Sequence, residues 1–156
     1  CILLTLLSEM KKSRGIGIDI SNKAINIALK NAKNFGLESR SKFYKRSLSK
    51  IYGYKFDLIV SNPPYICTNQ IKNLSDDVRK YEPRAALDGG NDGLDVIKKV
   101  IYKSRAILKK KGILALEIGH GQYKEVSQIL RLQGFKDRFL IKDYQDNIRC
   151  ILTMLN

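Results

Sequence analysis

The sequence predicts an α/β domain whose sheet is mostly parallel and ends in an antiparallel hairpin. Three observations carry this expectation. Strand-like apolar runs alternate with segments of helical period. Two of those runs, Lys55 to Ser61 (KFDLIVS) and Gly112 to Ile118 (GILALEI), are continuous in the manner of parallel strands buried on both faces. The last two runs are separated only by a short polar turn.

Residues 1–12 have helical composition, and Arg14 to Ile20 (RGIGIDI) alternates Ile with Gly or Asp as a short strand ending at Asp19. Ser21 is placed to cap a helix in which Ala24, Ile25, Ala28, Leu29 and Ala32 recur at helical spacing, and Phe35-Gly36 supplies its stop. Lys42 to Lys45 reads as a short strand. Lys55 to Ser61 is the next, and it stops at Asn62-Pro63-Pro64-Tyr65, where two prolines forbid helix and sheet ladder alike. From Ile66 to Asn91 the chain is polar and turn-rich, longer than an ordinary connection, and such loops are often functional. Leu94 to Leu108 is helical by period, Gly112 to Ile118 is a strand, and Gln122 to Gln133 is a helix stopped by Gly134. Phe135 to Ile141 and Ile148 to Leu155 form the hairpin around Asp143 to Asn147.

The chain has 156 residues, the length of one domain, here 1–156. Its 44% apolar and 28% charged residues exclude wholesale disorder. The apolar run Cys1 to Leu7 is too short to span a bilayer, which takes about 20 residues. Glu9, Lys11 and Lys12 follow it where a signal peptide would have its cleavage site, so a cytosolic location is expected. Cys1, Cys67 and Cys150 are odd in number and far apart, giving neither a disulfide framework nor a zinc cluster, and they read as reduced thiols. The first residue is Cys and not Met, so the start of translation is expected upstream and the chain reads as a fragment. The net charge of +14 favours polyanions such as RNA, ribosomes or anionic lipid, against the alternative of lysines scattered over solvated faces by coding bias. Lys98, Lys99, Lys103 and Lys109 to Lys111 decorate one helix and its exit without the aromatic interleaving of a base-stacking surface.

Ligands of such sheets bind outside the carboxyl ends of the strands, where Asp19 and Asn62 both fall. A carboxylate at the end of a strand can hold both hydroxyls of a ribose, although Asp before Ser21 also suits turn and capping chemistry. The glycine loop that accompanies such an acid lies about 20 residues upstream, before Cys1. Gly15-Ile16-Gly17 is no substitute, because it sits inside the strand. Asn62-Pro63-Pro64-Tyr65 is the most specific signal. Two prolines pre-set the loop so that the Asn62 side chain and the Pro63 carbonyl aim at one point. Paired acceptors suit a planar –NH2 group, whose delocalised lone pair needs such help to attack, and Tyr65 offers an aromatic wall that also suits a cationic methyl donor. The alternative is an ordinary turn. Asp88 to Asp95 is not a calcium loop, since Gly90 and Lys99 fall where ligands are required. Glu117 and His120 form a single E-x-x-H, short of a di-metal site, and one His supports no catalytic triad. No metal is expected.

With Asp19, Asn62-Pro63-Pro64-Tyr65, Tyr81 to Leu94 (YEPRAALDGGNDGL) and Leu116-Glu117-Ile118-Gly119 in view, the chain resembles the bacterial peptide chain release factor glutamine methyltransferases along essentially its whole length. The resemblance implies a Rossmann-like class I methyltransferase sheet. It also implies methyl transfer from S-adenosylmethionine to the side-chain amide of the glutamine in the Gly-Gly-Gln motif of release factors. Asp19 would hold the cofactor ribose, Asn62 and the Pro63 carbonyl would orient the amide, and Pro64 with Tyr65 would shape the pocket. An ungapped count from Asp19 puts Arg46 and Ser47 where the family often carries an acidic and then an aromatic residue near the adenine, which makes Ser47 a cofactor-site position. The family's N-terminal helical domain, first sheet strand and D-x-G-T-G-S-G-type loop are not in the chain, and Cys1 resembles the residue directly after that loop. A partial domain is therefore expected, one that an upstream fragment could complete. The other readings are ribosomal-protein glutamine methylation, adenine-N6 methylation of nucleic acid, and a non-catalytic basic remnant that binds RNA or ribosomes.

Overall fold

The computed structural model describes the backbone of residues 2–156 and the side chains of all of these but 137 and 138. The expectations about Cys1 lie outside the described residues. The chain divides into two compact units, one up to Gly53 and one from Tyr54.

In the first unit, α1 (Ile2–Glu9) leads to β1 (Gly15–Asp19), α2 (Asn22–Asn34) and β2 (Ser41–Lys45), followed by a 3-10 turn at Leu48–Lys50. β1 and β2 run parallel, with Gly15 opposite Ser41 and Asp19 opposite Lys45. The alternating glycines of β1 have a steric purpose: a Cβ on Gly15 would collide with Leu3 and one on Gly17 would lie 2.6 Å from the Phe43 ring. Leu4, Leu7, Ala32 and Leu37 form the core there, with Leu3 and Phe43 packed against it. Ser21 accepts from the Ala24 N–H and so caps α2, while Gly36 at φ +63 closes it. Arg40 donates to the carbonyls of Leu7, Met10 and Ser13, meeting the otherwise unpaired carboxyl end of α1.

The second unit holds β3 (Phe56–Ser61), a 3-10 segment (Thr68–Asn73), α3 (Asp76–Tyr81), α4 (Arg84–Leu87), α5 (Asp95–Ile107), β4 (Leu108–Glu117), α6 (Tyr123–Leu132), β5 (Phe135–Lys142) and β6 (Ile148–Leu155). Its sheet has the order β3-β4-β6-β5, with β3 parallel to β4 and β6 antiparallel to both of its neighbours. Ile97 and Ile101 of α5, Val126 and Leu130 of α6, Leu114 and Leu116 of β4, Phe135 of β5 and Ile151 of β6 are buried.

Among the described residues the strands form two sheets, in which β1 pairs with β2 alone and β3 with β4 alone. Three expectations change. β3 is not buried on both faces: as an edge strand of its sheet it leaves Val60 37% exposed. The stretch 66–91 is not bare loop, since Asp76 at the start of α3 pairs with Arg79 and Lys80 at 2.6 Å each and favours a helical turn. Lys109 to Lys111 do not trail from a helix. They form a bulge in β4, where Phe56 pairs with Leu108 and Leu58 already pairs with Ile113, and Lys109 reaches Asp57 at 2.8 Å.

Candidate active site

β3 ends at Ser61 opposite Leu116 of β4, so Asn62 leaves the sheet at the carboxyl end of both parallel strands. The prolines end the ladder there, and Pro63 is buried while Asn62 is exposed. Among the described residues neither the Asn62 side chain nor the Pro63 carbonyl has a hydrogen-bond partner.

What fixes this loop is mostly outside it. Ile66 donates to the Leu87 carbonyl at 3.0 Å, Gly89 donates to the Ile66 carbonyl at 2.9 Å and Thr68 donates to the Gly90 carbonyl at 2.9 Å. The DGGNDGL stretch thus lies alongside the residues after Tyr65 like a short strand. Its glycines permit the contact: a Cβ on Gly89 would sit 2.8 Å from the Tyr65 Cα, and one on Gly93 would strike the Tyr65 carbonyl. Gln122 completes the frame. Its Nε2 donates to the Tyr65 carbonyl at 3.0 Å and its Oε1 accepts from the Gly119 N–H at 2.8 Å.

The Tyr65 hydroxyl donates to Glu117 Oε1 at 3.1 Å and accepts from Arg149 Nη2 at 2.9 Å. The guanidinium also stands 5.3 Å from the centroid of the Tyr65 ring. Asp143 lies 3.9 Å from Arg149 and accepts from the N–H groups of Gln145 and Asn147 in the hairpin turn.

The acidic loop residues are structural. The Thr68 hydroxyl, the Gly90 N–H and Arg84 hold the Asp88 carboxyl below its ordinary range. Lys98 and the Leu94 N–H do the same for Asp92. Both aspartates have partners that a calcium ion would have to displace. Burial, with Glu117 nearby, pushes the Cys150 thiol up, which favours the protonated form. Cys67 and Cys150 are both free.

In the first unit Asp19 ends β1, exposed, and its Oδ1 accepts from the Ser21 N–H at 2.7 Å. The second carboxylate oxygen has no partner among the described residues, and the Asp19 carbonyl accepts from the Arg46 N–H. Asp19 and Ser47 therefore meet at the same end of the β1–β2 pair. Ser47 Oγ lies 2.9 Å from Ser49 Oγ and caps the 3-10 turn. A carboxylate oxygen with no partner among the described residues suits the diol of a ribose.

Sequence reasoning brings in Glu117 through the Leu116-Glu117-Ile118-Gly119 stretch and as a partner of His120, which is exposed in a turn, but gives it no role beside Tyr65. It missed Arg149 and Gln122. A charged residue inside the apolar strand IRCILTML was the available signal for Arg149; Gln122 carried none.

Residues 1–145 match a family profile described as a methyltransferase domain. Release factor glutamine methyltransferase of Rhodospirillum rubrum is 41% identical over 153 residues, which cover 98% of this chain and 47% of that protein. The one from Caulobacter vibrioides is 38% identical over 156 residues, 99% of this chain and 54% of that protein. The chain therefore spans about half the length of these relatives. Among solved structures, a methyltransferase from Pyrococcus furiosus superposes with a TM-score of 0.68 at 14% identity, covering 97% of this chain and 67% of that one, a likeness of fold alone.

Proposed function

This chain belongs to the methyltransferase-domain family, and from that premise we propose that it carries the catalytic half of a protein-glutamine methyltransferase that uses S-adenosylmethionine. Its substrate in this reading is the Gly-Gly-Gln glutamine of peptide chain release factors. The observation that carries the reading is the pair of unpartnered acceptors, Asn62 Oδ1 and the Pro63 carbonyl, on a braced loop at the carboxyl end of β3. Relatives named release factor glutamine methyltransferase, about 40% identical over nearly the whole chain, support the choice of substrate.

S-adenosylmethionine, when bound, supplies an electrophilic methyl group on a sulfonium. Asp19 holds the ribose through its free carboxylate oxygen, and Ser47 lines the adenine side. Asn62 and the Pro63 carbonyl each accept one amide N–H of the substrate, which turns the nitrogen lone pair toward the donor and favours a pyramidal nitrogen. They orient the amide and need not act as a base, because the nitrogen releases one of its protons to solvent once it carries the new methyl. Pro64 and Tyr65 wall the pocket and keep water out. Catalysis is then positional, and placing two reactants in line is worth several kcal/mol. The same reading treats residues 1–156 as one methyltransferase domain whose first strand and glycine-rich loop lie outside them. The unpaired edges of β1 and of β3, each in its own sheet, support that part.

The test is transfer of labelled methyl by the full-length protein to release factor, to ribosomal protein and to DNA or RNA. Label on the release factor glutamine supports the reading, and label on adenine in place of glutamine refutes it. Asn62→Ala is expected to lower transfer by about 100-fold while S-adenosylhomocysteine still binds by calorimetry; unchanged turnover would remove Asn62 from the site.

A further inference from the structure

We propose that Arg149 and Glu117 are positioning residues that fix the ring of Tyr65, so that the wall of the amide pocket is set from the far end of the C-terminal hairpin. The proposal rests on the reading of Asn62 to Tyr65 as that pocket, and it names residues outside the motif.

The polarity of the network leaves no freedom. A guanidinium can only donate and a carboxylate can only accept, so the Tyr65 hydroxyl must accept from Arg149 and donate to Glu117. Both bonds involve a charged partner and are stronger than a neutral pair. They fix the oxygen, while the guanidinium 5.3 Å from the ring centroid biases the ring plane. Arg149 lies 3.9 Å from Glu117 on one side and 3.9 Å from Asp143 on the other, so its own direction is constrained. Glu117 is the last residue of β4 and pairs with Cys150, directly after Arg149, so the two groups come from adjacent strands in fixed register. At the other end of the tyrosine, Gln122 holds the carbonyl. Hydroxyl and backbone are thus both pinned, and the ring between them has one orientation available.

Arg149 touches no reacting group in this arrangement, and its effect passes through Tyr65. Two readouts separate that from simple loss of stability. In full-length protein labelled with 3-fluorotyrosine, Tyr65→Phe identifies the Tyr65 fluorine resonance by its loss. Arg149→Ala is expected to shift or broaden that resonance, and Glu117→Gln, which keeps an acceptor, to move it less than Glu117→Ala. In kinetics, Arg149→Ala is expected to lower kcat by about 10- to 100-fold with a smaller change in KM for release factor. Arg149→Lys recovers only part, because an ammonium cannot donate and stack as the planar fork does. In the Tyr65→Phe background the further loss from Arg149→Ala should shrink, a non-additivity that independent effects would not produce. A Tyr65 resonance unmoved by Arg149→Ala, or losses that simply multiply, overturns the proposal. If the parent protein methylates no glutamine, the proposed function fails while the resonance still decides whether Arg149 fixes the ring.

Discussion

Asp19 is the residue whose two readings the structure allows to be separated. Its Oδ1 serves the Ser21 N–H at the entry to α2, and its other oxygen has no partner among the described residues. Asp19→Asn keeps an acceptor for Ser21 but gives the ribose a neutral partner, whereas Asp19→Ala removes both. If the carboxylate holds a ribose, both variants of the full-length protein should bind S-adenosylhomocysteine at least about 10-fold more weakly, since a hydrogen bond to a charged group is worth roughly 1.5–3 kcal/mol. If it serves only the turn, Asp19→Asn should bind as the parent does in calorimetry, and only Asp19→Ala should lower the melting temperature. Asp88 and Asp92 belong to a different argument. Their carboxyls titrate below the ordinary 3.8 because Thr68 and Gly90 serve one, and Lys98 and Leu94 the other. A folded-state value below the unfolded one adds stability that is complete above the unfolded value and is lost as pH falls through the folded one. Amide exchange in residues 66–94 should therefore accelerate below about pH 4 before the buried strands β4 and β6 open. Asp88→Asn should flatten that dependence; an unchanged pH profile would show that the aspartate does not hold the segment.

At the scale of elements, the loop 88–94 behaves as a part of the site and not as a linker. Gly93 has φ +72, and a Cβ there would strike the Tyr65 carbonyl, while Gly36 has φ +63 but open space around it. Gly36→Ala should cost only the left-handed penalty, about 1 kcal/mol. Gly93→Ala adds a backbone collision and should cost at least about 2 kcal/mol in urea unfolding, with loss of transfer activity as well. Equal costs at the two glycines would mean that the loop shifts freely. Thr153 on β6 gives a prediction of opposite sign. It is fully buried and its hydroxyl has no partner among the described residues, so Thr153→Val should stabilise by about 1 kcal/mol. The same contrast explains what could be read from sequence. Helix ends such as Ser21 and Gly36, and the hairpin turn at 143–147, announce themselves because capping and turn chemistry are local. The Asn62-Pro63-Pro64-Tyr65 loop was legible because prolines act on their own backbone. Arg149, Gln122 and the β4 bulge were not, because each depends on partners 50 or more residues away, as with Tyr65 and Arg149 at a separation of 84. Strand adjacency is likewise a long-range property, so periodicity could not place β6 between β4 and β5.

For the whole molecule the informative quantity is the surplus of 29 basic over 15 acidic residues. Ion pairs such as Asp76 with Arg79 and Lys80, Asp92 with Lys98, Asp57 with Lys109 and Asp146 with Lys142 cannot absorb it, because pairing every acid would still leave a net charge of +14. The excess lysines, among them Lys11, Lys12, Lys23, Lys30 and Lys33, lie exposed on the surface. Such a field attracts phosphates without reading bases, so its signature is counterion release. Binding of the full-length protein to single-stranded RNA should therefore weaken steeply with salt. If roughly four phosphates are neutralised, affinity should fall about 50-fold between 50 and 200 mM, with little dependence on sequence. The amide pocket makes no use of this field, so Asn62→Ala should leave the salt slope unchanged while transfer collapses. The reverse result would reassign the charge: adenine-dependent RNA affinity that Asn62→Ala abolishes would make the nucleic acid a substrate. Fluorescence anisotropy with adenine-rich and adenine-free oligomers, each titrated at several salt concentrations, distinguishes a polyanion tether from an adenine site in one series.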